Sequence, residues 1–170
     1  MSDPKPRPHT SCDTAAAPPA LVVLDTNVVL DWLVFADPVG CRIGEQIVSG
    51  QLCWIGTATM RDELCCVLRY PAIEARWRQS LSYDDILARH DRHISTVEPA
   101  APADAIDAPA TPRMRCRDPD DQPFIDLAVQ HGAQLISRDL AVLKLARRAR
   151  TRGAEILTPQ QWLRQMQPPV

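Results

Sequence analysis

Leu21 to Leu24 form an unbroken apolar run that stops on the polar triplet Asp25-Thr26-Asn27. A run with no polar alternation suits a strand buried on both faces of a parallel sheet. Val28 to Phe35 then reads as a short apolar helix ended by Asp37-Pro38, and Val39 to Ser49 as a second helix closed by Gly50. A short strand over Leu52 to Ile55 leads into Ala58 to Tyr70, where Met60, Leu64, Val67 and Leu68 recur at helical spacing until Pro71 stops the pattern. Glu63 lies three residues after Met60 and four before Val67, which places it at the border of the buried face.

Ala72 to Ser80 and Ser82 to His93 read as two further helices, the second opening with Ser82-x-x-Asp85, akin to a capping box. Ile94 to Val97 follows as a strand. Beyond it, Pro, Ala and Asp dominate, and residues 98–117 are expected to form a long mobile loop. Asp121 to His131 reads as a helix with Phe124, Ile125 and Ala128 inward, then Gly132 and a strand over Gln134 to Ser137. A helix over Leu140 to Arg150, a strand over Ala154 to Leu157, and a final helix started by Thr158-Pro159 complete the pattern. Strands alternating with helices imply an α/β layer fold with a parallel sheet.

Composition narrows this further. At 170 residues the chain suits one domain, read here as residues 21–168, behind a disordered Pro/Ala-rich leader over residues 1–20. The leader has no continuous apolar stretch, so it forms neither a secretory core nor a membrane span. The net charge of −2 argues against a protein that coats nucleic acid non-specifically, so a polyanion substrate must meet a local basic patch and bound cations. Six cysteines without zinc-type spacing fit a reducing cytoplasm better than a disulfide scaffold. No self-similar period suggests a solenoid.

Two of the best strand candidates end on acids, Asp25 after LVVL and Asp139 after QLISR. In open α/β sheets, ligands bind at the carboxyl ends of strands. Asp121 shares a helical face with Phe124, Ile125 and Ala128. Carboxylates gathered there repel one another unless a divalent cation neutralises them. Hard oxygen ligands, with no His/Cys set nearby, favour Mg²⁺ or Mn²⁺ over zinc. Such a site suits phosphodiester hydrolysis. Each acid also has a plain structural role open to it: Asp25 and Thr26 as caps, Asp118, Asp120 and Asp121 as a helix N-terminus, Asp139 as a cap, and Glu63 as a rim residue. Only their joint placement favours chemistry.

LVVLDTNVVL, RDELCCVLRYP, RDPDDQPFIDLAVQHGAQLISRDLAVL and ILTPQQWL, taken in order, extend from Leu21 to near the C-terminus. In these segments the chain resembles the PIN-domain family, in particular the PIN-type ribonuclease toxins of bacterial toxin–antitoxin systems. The resemblance implies a three-layer fold with a central parallel sheet flanked by helices. It implies Asp25, Glu63, Asp121 and Asp139 as metal-site and catalytic acids, with Asp118 or Asp120 as substitutes for the third. Asp25 and Asp121 would hold the principal Mg²⁺, and Glu63 and Asp139 a second site or the attacking water. Asn27 and Ser137 would orient the carboxylates or that water. The implied activity is metal-dependent cleavage of RNA, the implied partner an antitoxin protein, and homodimerisation is compatible with it.

No covalent nucleophile is needed in that chemistry, so Cys65 and Cys66 read as small buried core residues. Arg113, Arg115 and Arg117 beside the third acid, or Lys144, Arg147, Arg148, Arg150 and Arg152 along the penultimate helix, offer phosphate contacts, the second group being also a plain solvated face. Trp32, Trp54, Trp77 and Trp162 are scattered, without a clustered stacking platform. The competing readings are a catalytically silent PIN-like module that binds RNA or protein and a Mg²⁺-dependent phosphatase, the latter disfavoured because Asn27 stands where an Asp-x-Asp pair needs its second acid. A dinucleotide-binding enzyme is poorer still, since no G-x-G-x-x-G follows the first strand.

Overall fold

The apolar run at Leu21 becomes the middle of β1 (Ala20–Leu24), the central strand of the sheet, in a computed structural model that describes residues 18–99 and 114–166. The expected leader lies outside these residues as far as residue 17. So does the expected loop from residue 100 to 113, Arg113 included. β1 pairs in parallel with β2 (Leu52–Gly56) on one side and β4 (Gln134–Ile136) on the other. β3 (Ile94–Thr96) and β5 (Glu155–Leu157) lie outside them, giving the order β3-β2-β1-β4-β5, all parallel.

Side chains alternate across this sheet into two cores. Val22, Leu24, Trp54, Ile136 and Leu157 face one side, where they meet α1 (Thr26–Leu33), α2 (Pro38–Val48), α3 (Ala58–Val67), α4 (Pro71–Trp77), α5 (Tyr83–His93) and α9 (Pro159–Met166). Val23, Ile55, Leu135 and Ile156 face the other, under α6 (Gln122–His131), α7 (Leu140–Leu143) and α8 (Ala146–Arg150). The result is a three-layer α/β fold, as expected of strands that read as continuous apolar runs. Val22, Val23, Leu135 and Ile136 are fully buried, and each such side chain contributes about 1.5–3 kcal/mol. α3 bridges the cores, with Leu64 in the first and Met60 in the second.

Local chemistry sets the ends. Asp37 caps α2, accepting from the N–H groups of Val39 and Gly40 at 3.0 Å each. Ser82 caps α5 by accepting from Asp85 N at 3.0 Å, and its hydroxyl donates to the Asp85 carboxylate, so the predicted capping pattern forms. Thr158 and Gln161 make a reciprocal box at α9, Thr158 Oγ1 accepting from Gln161 N and Gln161 Oε1 from Thr158 N. Gly132 takes φ +59° at the end of α6, a left-handed conformation that lets the chain turn directly into β4.

Two expectations are corrected. The helix expected over Leu140 to Arg150 is broken, because Leu145 N bonds Val142 O, a tighter turn than the α-helical one, before α8 resumes. The break keeps Val142, Leu145 and Ala149 all buried. Cys65 is half-buried and Cys66 exposed, so neither is a core residue. The buried stripe of α3 runs through Met60, Leu64 and Leu68, and the next two positions after Leu64 rotate toward solvent. The four tryptophans are scattered in sequence but gather in one core, Trp32 and Trp54 edge-on at 5.9 Å.

Strand order places the site. The chain leaves β1 for β2 and β3 on one side and later returns to β4 on the other, so the carboxyl ends of β1 and β4 flank the topological switch point. Ligand crevices open there in sheets of this kind.

Candidate functional site

Asp25 follows β1 and Ser137 follows β4, and backbone bonding draws the two together, Asp25 N donating to Ile136 O at 3.0 Å. Asp25 is only 6 % exposed. Its carboxylate caps α1 by accepting from Asn27 N at 3.4 Å, and the fully buried Ser137 hydroxyl donates to its other oxygen. Ser137 Oγ in turn accepts from Asp139 N at 2.9 Å. Asp139 caps α7 through Ala141 N and Val142 N while remaining exposed to solvent. One serine thus ties the first acid to the turn that presents the fourth.

Glu63 reaches the same edge from α3, held by Thr26 Oγ1, which donates to Glu63 Oε1 at 2.7 Å. Sequence reasoning missed this partner: Thr26 stands beside Asp25 in the DTN triplet, but nothing in its spacing links it to residue 63. Asp121 sits at the N-cap of α6 without a capping bond from its side chain and is half-buried, with the Cys116 thiol 3.9 Å from its Oδ2. Asp118 accepts from Asp120 N in a local turn, and both of these are exposed.

Electrostatics shows which acids share the site. Burial raises the Asp25 carboxyl above its usual range, against the hydrogen bonds from Ser137 and Asn27, and Asp139 adds to the rise. Burial likewise raises Glu63, opposed by Thr26 and reinforced by Asp25, Asp120 and Asp118. Asp121 is pushed up to about 6, first by burial and then by Asp25, Asp139, Asp118 and Glu63. All four of these neighbouring charges are of its own sign. Arg138 lies between Ser137 and Asp139 in sequence, yet its guanidinium pairs with Asp31 at 2.6 Å and Asp37 at 3.5 Å. Among the described residues no ion pair offsets the charge of Asp25, Glu63, Asp121 or Asp139.

Among the described residues no three His, Cys, Asp or Glu side chains are arranged to hold a metal ion as they stand. Asp25, Glu63 and Asp139 are turned toward Ser137, Thr26 and the α7 backbone, respectively. The donor chemistry nevertheless fits a hard divalent cation: four carboxylates, of which Asp25, Glu63 and Asp121 are raised in pKa first by burial and then by neighbouring acids, plus the buried Asn27 Oδ1, which has no partner among the described residues. Beside Asp121 a cavity of about 650 Å³ opens, lined by Thr57, Thr59, Pro99, Arg115, Cys116 and Gln122 among others.

The Asp121 shift carries a stability prediction. Its folded pKa lies above the ordinary 3.8, so its contribution is fully present below pH 3.8 and is lost as pH rises through about 6. In the absence of divalent ions, Asp121→Asn should therefore melt higher than wild type at pH 7 and with little difference at pH 4. Thermal unfolding of both proteins across that range is the check, and a gap independent of pH contradicts it.

An all-parallel α/β sheet with carboxylates gathered at its switch point is the frame of a nuclease-type domain. A family profile described as PIN domain matches residues 21–141, and the chain belongs to the PIN-domain family. Asp25, Glu63, Asp121 and Asp139 all fall inside the match. Members of this family are generally nucleases and typically use divalent metals. A search of curated proteins gives no match.

Proposed function

We propose that this chain is a Mg²⁺- or Mn²⁺-dependent endoribonuclease that hydrolyses RNA phosphodiester bonds, and that it serves as the toxin of a toxin–antitoxin pair. The observation that carries the reading is the set of four carboxylates at the β1/β4 switch point, each of three raised in pKa and none offset by a described cationic side chain. Asp25, Glu63, Asp121 and Asp139 would hold the cation, with Asp121 preferred over Asp118 and Asp120 because it alone of the three is half-buried and free of a capping bond. A divalent cation there supplies Lewis-acid polarisation of the phosphoryl oxygen and offsets the charge that builds on the leaving oxygen.

The chain's own groups do the rest. Ser137 fixes the Asp25 carboxylate from below, and Thr26 fixes one oxygen of Glu63, leaving Glu63 Oε2 without a partner among the described residues. Oε2 would accept a proton from the attacking water as the new P–O bond forms and the old one breaks, with solvent returning a proton to the leaving oxygen. In the cation-free site burial first, and then its like-charged neighbours, push Asp121 up to about 6, so protons compete with the cation there and cleavage at limiting Mg²⁺ should rise with pH.

The partners in this reading are RNA, an antitoxin that inserts a basic side chain among the carboxylates, and a second copy of the chain. The test is cleavage of a mixed RNA pool by the purified protein. Cleavage is expected with Mg²⁺ or Mn²⁺ and abolished by EDTA, and expression without a partner should arrest bacterial growth. Equal background with cation and with EDTA sinks the nuclease reading, leaving a silent binding module. Cleavage without growth arrest removes only the toxin role.

A further inference from the structure

A second feature begins where the acidic edge ends. Leu140, the residue after Asp139, is 72 % exposed at the start of α7, the most exposed of the large apolar side chains among the described residues. Lys144, Arg147 and Arg148 follow on the outer side of α7 and α8, all exposed, while Val142, Leu145 and Ala149 hold the inner side in the core. Among the described residues none of these three cations forms an ion pair. Arg150, by contrast, pairs with Glu155 at 3.5 Å, and Arg152 also has a partner. The turn at Leu145 that breaks the expected helix keeps Val142, Leu145 and Ala149 buried and leaves Lys144, Arg147 and Arg148 exposed.

We infer that Leu140, Lys144, Arg147 and Arg148 form a track for the sugar-phosphate backbone of a single RNA strand, leading away from the carboxylates at Asp139. This rests on the ribonuclease reading, since that reading supplies the strand. A chain of net charge −2 with an acidic edge repels RNA, so the strand needs a cationic surface close to the site but not within it. Unpaired exposed cations on one side of α7–α8 meet that need. Lys144 stands in the break between α7 and α8, and Arg147 and Arg148 are neighbours on α8, so the three cations follow Asp139 in chain order along this surface. Leu140 offers an apolar surface to the base or ribose next to the scissile phosphate. The family match stops at residue 141, so Lys144, Arg147 and Arg148 all lie beyond it.

The test uses fluorescence anisotropy of a short labelled single-stranded RNA of mixed sequence, in EDTA, where no cation bridges protein to phosphate. The full chain is compared with K144E/R147E/R148E and with a control, R42E/R78E, whose two arginines are ion-paired elsewhere on the surface. The track variant should lose affinity by tenfold or more. Its slope of log K against log salt should also become shallower by about 2, from roughly 0.7 for each of three lost phosphate contacts. The control should change far less, and melting temperatures should be close throughout. Equal losses in both variants mean a general charge effect and overturn the track, as does unchanged binding in the track variant. So does absence of RNA binding by the full chain in EDTA, because these contacts require no metal. The nuclease reading is judged apart from all three, by cation-dependent cleavage.

Discussion

Asp25→Asn should abolish RNA cleavage while raising the melting temperature of the cation-free protein at neutral pH. The first effect follows from what the carboxylate would do: a neutral amide oxygen holds a divalent cation far more weakly than a charged carboxylate does. Losing the several kcal/mol that Lewis-acid stabilisation supplies to the transition state lowers the rate by about a thousandfold or more. The second follows from where the carboxylate is. Asp25 is 6 % exposed, and burial raises its pKa. The fold therefore opposes its charge above the usual carboxylate pKa, and removing that charge relieves the fold. Asparagine keeps the shape and an oxygen that can still accept from Asn27 N. Single-turnover cleavage and thermal melts of the two proteins check both halves. A variant that is inactive and also less stable would mean that Asp25 serves the fold more than the chemistry, and an active variant would remove it from the centre altogether.

Much of this edge is legible in the sequence, for a physical reason. A parallel strand buried on both faces is an apolar run, so the first polar residue after it marks the carboxyl edge: Asp25 after β1 and Ser137 after β4, with Asp139 two residues further on. Glu63 is found by helical phase, three residues from Met60 and one from Leu64 on the border of the stripe. The third acid is not separable in sequence, because Asp118, Asp120 and Asp121 lie within one turn. The structure separates their surroundings: Asp118 closes a local turn, Asp120 faces solvent, and Asp121 is half-buried among the other carboxylates' fields.

What remained hidden depends on long-range geometry. Thr26 meeting Glu63 spans 37 residues, and Arg138 meeting Asp31 spans 107. Both are invisible to periodicity. Arg138 shows why this matters, since an arginine next to the fourth acid in sequence looks like its counter-ion, whereas in the fold it is drawn off to Asp31 and Asp37. The cysteine pair failed for a simpler reason: apolar type outweighed helical phase, although the phase of Leu64 already turns Cys66 outward.

The second large effect should come from Trp162→Ala, at a position outside the matched residues and far from the acids in sequence. Trp162 is 1 % exposed and anchors α9 in the same core as Trp32, Trp54 and Ile43, with α9 laid against α2. Removing a buried tryptophan costs about 3–5 kcal/mol, against a total of about 5–15 kcal/mol for a domain. The variant should therefore unfold at a much lower denaturant concentration and lose activity by unfolding. Trp162→Phe provides the contrast. The indole Nε1 is buried without a partner among the described residues, so phenylalanine removes an unsatisfied donor and refills most of the space. Its loss should be held to about 1–2 kcal/mol. Urea unfolding of the two variants measures the difference. If alanine costs less than about 1 kcal/mol, α9 is an appendage; the expected large gap would make β5 and α9 part of the unit that holds Ser137 against Asp25, because Ser137 N itself donates to Leu157 O on β5 at 3.0 Å.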